Sequence, residues 1–338
     1  MTDSDSIRGG TAAEPTQNEA IADAKAAAKA EKEKQKEEKK LAKQRRQMQR
    51  RRLGDRKEGR RLRSVDPVVS FTPFIMKERS DALIYFSDSI NTDAVDRYCR
   101  AKVMEGKSNF TLLHVILAAY IRVVSQKPQI NRFISGQRIF ARRNIEINMV
   151  VKKKMTSDSP ETCISILFEP TDTADMVYEK FNKVVQDIVN APDESTSFDK
   201  LNGVLNRLPR FLIRFVIWFL GRLDYWGKLP QKLLRLSPFH GSMIITSMGS
   251  LGIPPVYHHL YNFGNLPIFI SYGIRKIVPI MTHDGHLVNR KQCTLKVVMD
   301  ERICDGFSFA SAFKMLKHII EKPEVLDTPP ECVKEDIY

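Results

Sequence analysis

The chain of 338 residues is 42% hydrophobic and carries a formal net charge of +14, which allows one large domain or two smaller ones with a sizeable core. Its five cysteines stand far apart without a CxxC pair, and its seven histidines share no metal-ligand spacing with them. This argues against a disulfide framework and a metal centre, and it fits reduced thiols in a cytoplasmic protein. The charge is uneven: residues 1–64 hold 19 Lys/Arg against 11 Asp/Glu, so most of the basic excess concerns the extension's own partners.

Residues 1–18 are polar, and Asn18 to about Arg52 is rich in Ala, Lys, Glu, Gln and Arg without an apolar stripe. That composition predicts a disordered start and a solvated or fluctuating helix. "KQRRQMQRRRLGDRKEGRRLR", residues 43–63, holds eleven basic and two acidic residues. It suits an anionic surface, and the lack of interleaved aromatics argues against sequence-specific nucleic-acid binding.

The folded domain is expected to run from Val65 to 328, with an insertion at 196–238 and a tail at 329–338. "ALIYFSDSIN" alternates like a strand, "TDAVDRYCRAKVME" follows as a Thr-capped helix, and "NFTLLHVILAAYIRVVSQKP" is an apolar helix stopped at Lys127-Pro128. His114 within that helix reads as a core residue. Strands are predicted in "QRIFARRNIEINMVVKKK" and "ETCISILFEP", and an amphipathic helix in "TADMVYEKFNKVVQDIVN". Further strands follow in "SMIITSMGSLGI", "LPIFISYGIRKIVPIM" and "HLVNRKQCTLKVVMD", before a helix from Phe307 to Ile320. The mixture indicates an α/β or α+β domain on a mixed sheet. Residues 205–234 contain an apolar helix interrupted by Arg210, Arg214 and Arg222, too short to span a bilayer. Packing on the domain or a neighbouring subunit, interfacial contact with an anionic membrane beside 43–63, and a lid over an acyl site are its three readings.

"DERICDGF", residues 300–307, followed by a helix, resembles the HxxxDG signature of the chloramphenicol acetyltransferase superfamily, and in particular the D-H-R-x-x-D-G form of its 2-oxo acid dehydrogenase acyltransferase branch. Asp300, Arg302, Asp305 and Gly306 match, and Glu301 stands at the catalytic histidine's position. Upstream, "IITSMGSLGI" resembles the family's T-[IV]-[ST]-N-x-G-x-x-G strand and turn. Weaker similarity runs from about Met76 to Val151, and 190–240 matches poorly.

The resemblance implies a two-layer chloramphenicol acetyltransferase-like fold, a homotrimer with active sites at subunit boundaries, and acyl-CoA as co-substrate, with no covalently bound cofactor. It makes Thr246 the oxyanion-stabilising hydroxyl and Asp305 a structural ion-pair residue in the motif loop with Arg302 and Arg79. It would make Glu301 the base of an acyl transfer to a thiol, hydroxyl or amine. Glutamate is the weaker base by about two pKa units relative to imidazole, roughly 3 kcal/mol of proton-transfer driving force. Two alternatives therefore stand beside an altered base: Glu301 salt-bridged to Arg302 or another arginine in a silent scaffold, or His258 or His259 of "PPVYHHLYNFG" supplying the imidazole. No lipoyl domain is expected in the first 64 residues, which favours a stand-alone protein, cytoplasmic or peripheral to a membrane.

Overall fold

A computed structural model of the chain describes residues 51–152, 161–190, 203 and 207–337. The predicted helix between Asn18 and Arg52 lies outside these residues except at its very end. One compact unit runs from Arg52 to Tyr338, and so begins earlier than the expected start near Val65. The reason is β1 (Gly59–Arg61), which pairs antiparallel with β4 (Arg138–Arg142). Gly59 permits this, because a Cβ there would lie 2.4 Å from the Phe133 ring. The C-terminal stretch expected as a tail is also anchored. Arg132 Nε and Nη2 donate to Asp336 at 2.7 and 2.6 Å, and Lys334 N donates to Ser125 O at 2.8 Å.

Two sheets form. The small one has the order β1-β4-β3, with β3 at Arg132–Ser135. The large one has six strands in the order β2-β9-β8-β7-β5-β6. Its members are β2 (Leu83–Asn91), β5 (Ile145–Lys152), β6 (Glu161–Phe168), β7 (Met243–Ser247), β8 (Ile268–Met281) and β9 (Leu287–Asp300). β7 runs parallel to both β5 and β8, and the other pairings are antiparallel. The sheet is therefore mixed, as its alternating strands and intervening helices predict.

Helix α1 (Pro67–Ile75) precedes β2 and was not foreseen. It begins with Asp66 accepting a hydrogen bond from Val68 N and with Pro67 at the first position, both favourable helix starts. Helices α2 (Asp93–Met104), α3 (Leu112–Gln126), α4 (Ala174–Asn190) and α7 (Gly306–Glu321) pack on one another and share a single core with the large sheet. α3 is buried almost all round, which explains its unbroken apolar run. His114 is indeed a core residue: it closes a capping box with Thr111 and lies against Phe110, Tyr178 and Phe181. Helices α5 (Arg210–Tyr225) and α6 (Gln231–Leu236) carry no buried residue. Among the described residues no helix is long and apolar enough to cross a membrane.

Candidate functional site

Thr246 stands near the end of β7, opposite Ser271 of β8. After Ser247 the chain turns through a short 3-10 segment, Gly249–Leu251, and Gly252 with φ 73°, a left-handed turn that favours glycine. The chain then lies back across β8. Val256 N donates to Ser271 Oγ at 3.3 Å, and Ile274 N donates to Ile253 O at 3.2 Å. Gly273 admits this close crossing, since a Cβ there would lie 2.3 Å from Pro255 Cδ. The strap ends on "YHHLY", where the His258 ring stacks on Phe269 with centroids 4.4 Å apart.

Thr246, His258 and His259 thereby line one cavity of about 540 Å³, a size usual for small-molecule sites. Most of its wall is apolar, from Met149, Val150, Ile244, Leu251, Leu266 and Phe269, with Cys163 and Ser250 also present. The Thr246 hydroxyl makes no hydrogen bond to another described residue. His258 Nε2 is buried and likewise unpartnered among the described residues. Burial, with His259 adding to it, pushes the His258 pKa below its ordinary value, so the resting imidazole is neutral and able to accept a proton. The cavity thus offers a hydroxyl donor, a neutral base and an apolar wall.

The motif loop is built differently from expectation. Asp300 closes β9 with its carboxylate buried, and it accepts from Arg302 Nη2 at 2.7 Å, Arg302 Nε at 2.8 Å and Arg79 Nε at 3.3 Å. Arg302 Nη1 donates onward to Met76 O and Lys77 O, and Arg79 donates to Gly264 O and Tyr261 O. The clamp joins three chain segments around one carboxylate. The ion pair expected at Asp305 is therefore found at Asp300. Asp305 is exposed and caps α7 instead, with Oδ1 accepting from Ser308 N at 2.8 Å and Oδ2 from Ser308 Oγ at 2.9 Å. These bonds lower its pKa. The physical reason is position: Asp300 ends a strand flanked on both sides and is buried, whereas a residue just before a helix meets free backbone N–H groups.

The Glu301 side chain is exposed and forms no ion pair or hydrogen bond with another described residue. Arg302 is committed to Asp300, so the expected Glu301–Arg302 salt bridge is absent. Glu301 lines neither the Thr246 cavity nor a second cavity of about 250 Å³ beside Arg79 and Arg302. The structure thus brings Thr246, His258 and His259 together and leaves Glu301 and Asp305 outside their cavity. Sequence reasoning missed Cys163 and Ser250 in its wall, and also the buried His240, whose Nδ1 lies 2.8 Å from Ser237 Oγ and whose Nε2 lies 3.4 Å from Asp224 Oδ1. Ser250, in the quoted "SMGSLGI", had a signal there; Cys163 and His240 had none. Among the described residues no cluster of His, Cys, Asp and Glu could hold a metal.

Residues 226–327 match the family model of the 2-oxoacid dehydrogenases acyltransferase catalytic domain. No curated protein matches the chain in sequence. Among solved structures, a probable dihydrolipoamide acetyltransferase from Listeria monocytogenes 4b F2365 is 15% identical, with 78% of this chain and 95% of that one covered and a TM-score of 0.50. The cubic core of the pyruvate dehydrogenase multienzyme complex is 13% identical over 77% of this chain and 88% of that one, with a TM-score of 0.48. A chloramphenicol acetyltransferase is 10% identical over 71% and 88%, with a TM-score of 0.42. Residues 226–327 are thus similar to that catalytic domain, and the solved acetyltransferase from Listeria shares the chain's fold.

Proposed function

We propose that this chain, which has the mixed α/β fold of the chloramphenicol acetyltransferase-like acyltransferases, transfers an acyl group from a CoA thioester to a thiol, hydroxyl or amine within the Thr246 cavity. The observation that carries this reading is the shared wall: Thr246, His258 and His259 face one apolar cavity. The apolar surfaces of Ile244, Leu266 and Phe269 receive the acyl group. His258 Nε2 removes the acceptor's proton as the acceptor attacks the thioester carbonyl, and the Thr246 hydroxyl donates to the oxyanion that forms. Collapse of the tetrahedral adduct breaks the C–S bond, and the imidazolium returns its proton to the departing CoA thiolate.

In this assignment Glu301 is not the base. Its exposed position suits a boundary between subunits, and a homotrimer belongs to the same proposal. A silent scaffold of the same fold is the competing reading. Full-length protein incubated with acyl-CoAs of increasing chain length and with thiol, hydroxyl and amine acceptors, with CoA formation followed chromatographically, decides between them. Turnover above the buffer rate is expected, and Thr246→Ala should lower kcat by roughly 10²–10³-fold, as loss of one oxyanion donor does. CoA formation at the buffer rate across the panel would establish the scaffold instead.

A further inference from the structure

Two helices outside the cavity leave apolar stripes in solvent. On α5, Phe211, Phe215 and Trp218 are 75%, 56% and 58% exposed, and Trp226, just beyond the helix, is 64% exposed. Their spacing of three to eight residues places them on one face. Phe215 contacts both Trp218 and Phe219, so the rings form a continuous surface. On α1, Val68, Phe71 and Ile75 repeat the pattern at i, i+3 and i+7, at 78%, 64% and 80% exposed.

Gln137, in the β3–β4 turn, connects the two helices. Its Nε2 donates to Pro73 O at 3.4 Å, and its Oε1 accepts from Tyr225 OH at 2.9 Å. The described part of the basic segment is seated there as well. Lys57 Nζ donates to Leu229 O at 3.1 Å, and Arg56 donates to Tyr225 O.

Charge selects the occupant. Among the described residues from 207 to 236 there are seven exposed arginines and lysines, Arg210, Arg214 and Arg222 among them. The one acid there, Asp224, is turned inward toward His240. A second copy packed with this face on its own image would set these cations against one another with no exposed acid in this stretch to relieve them. Aromatic rings interleaved with arginines along an exposed helix match an anionic lipid surface, where rings enter the headgroup layer and guanidinium groups reach the phosphates.

We propose that α5 and α1 dock the protein peripherally on an anionic bilayer, lying in its interface. This stands apart from the catalytic reading and survives its failure.

The test is co-sedimentation of the full chain with vesicles of phosphatidylcholine alone or of phosphatidylcholine with 30% phosphatidylserine. Emission from Trp218 and Trp226, the two tryptophans of the chain, is recorded in parallel. Binding to the anionic vesicles, a blue shift of emission and release by 0.5 M NaCl are expected. The pairs Phe215→Ser/Trp218→Ser and Arg210→Glu/Arg214→Glu should each weaken binding at least tenfold, with far-UV circular dichroism showing both folded. Wild type left in the supernatant with anionic vesicles at low salt overturns the proposal. So does undiminished binding of both folded pairs, which would place attachment elsewhere. Vesicle-independent self-association abolished by Phe215→Ser/Trp218→Ser would assign the face to a second copy and overturn it equally.

Discussion

Asp300→Asn removes the negative charge from the centre of the motif loop while keeping the side chain's shape. The two guanidinium groups that depend on it are buried, with Arg79 at 4% and Arg302 at 3% exposure. The carboxylate also accepts from Arg302 N at 3.2 Å, so the loop's backbone turn depends on the same atoms. Removing one partner of a buried ion pair leaves an uncompensated buried charge, at a cost of about 3–5 kcal/mol. Here two cations lose one shared counter-charge, so the upper end of that range is expected. Asp305→Ala is the matched control, because it loses only an exposed helix cap worth about 1 kcal/mol. Urea unfolding should be followed by far-UV circular dichroism, since exposed Trp218 and Trp226 report poorly on the core. A loss in Asp300→Asn no larger than in Asp305→Ala would refute the assignment of the clamp to Asp300.

Three further outcomes follow from the same structure. Burial holds His114 neutral with its pKa down at about 4 from an ordinary 6.5, so the unfolded chain binds this proton first as pH falls. Its stability contribution is whole above about pH 6.5 and declines toward pH 4 by roughly 3 kcal/mol; His114→Gln, which keeps the capping box, should flatten that part of the urea-midpoint profile. Gly264→Ala forces a Cβ to 2.2 Å from Phe239 O at a φ of 84°, beside the carbonyl that Arg79 grips, and should lower stability by about 2 kcal/mol or more, read as the urea midpoint. With Ellman's reagent at pH 8, exposed Cys332 should react rapidly in the native protein, while burial pushes the Cys304 thiol up to about 12 and that of Cys99 up to about 11, so these two react only on unfolding.

The fold was legible where periodicity was strong. The apolar run of α3 and its stop at Pro128, the alternating strand β2 and the apolar strand β7 fall where the sequence places them. β1 was not legible, because "GRR" shows no apolar alternation; it is held by a glycine against Phe133 and by Arg60 Nη2 donating to Asp336 O. α1 was missed for another reason: it has only nine residues, and Pro73 within them reads as a helix breaker. In the site, Thr246 was readable from the resemblance of "IITSMGSLGI" to the family's strand and glycine turn. The choice between Asp300 and Asp305 as the arginines' partner was not, since two carboxylates five positions apart differ only in whether a strand end or a helix start holds them. His258 and His259 gave only a doublet in a Pro-rich loop. What brings them beside Thr246 is the strap over Gly273, a contact between segments that local sequence does not encode.

The most direct test of the central claim compares the rate of CoA formation, on the best acyl-CoA and acceptor, for wild type, His258→Ala and Glu301→Ala. With His258 as the proton acceptor, His258→Ala should fall by roughly 10²-fold or more and Glu301→Ala should stay close to wild type. A His258→Ala enzyme at the wild-type rate, or a loss confined to Glu301→Ala, would contradict the account and return the base to the motif loop.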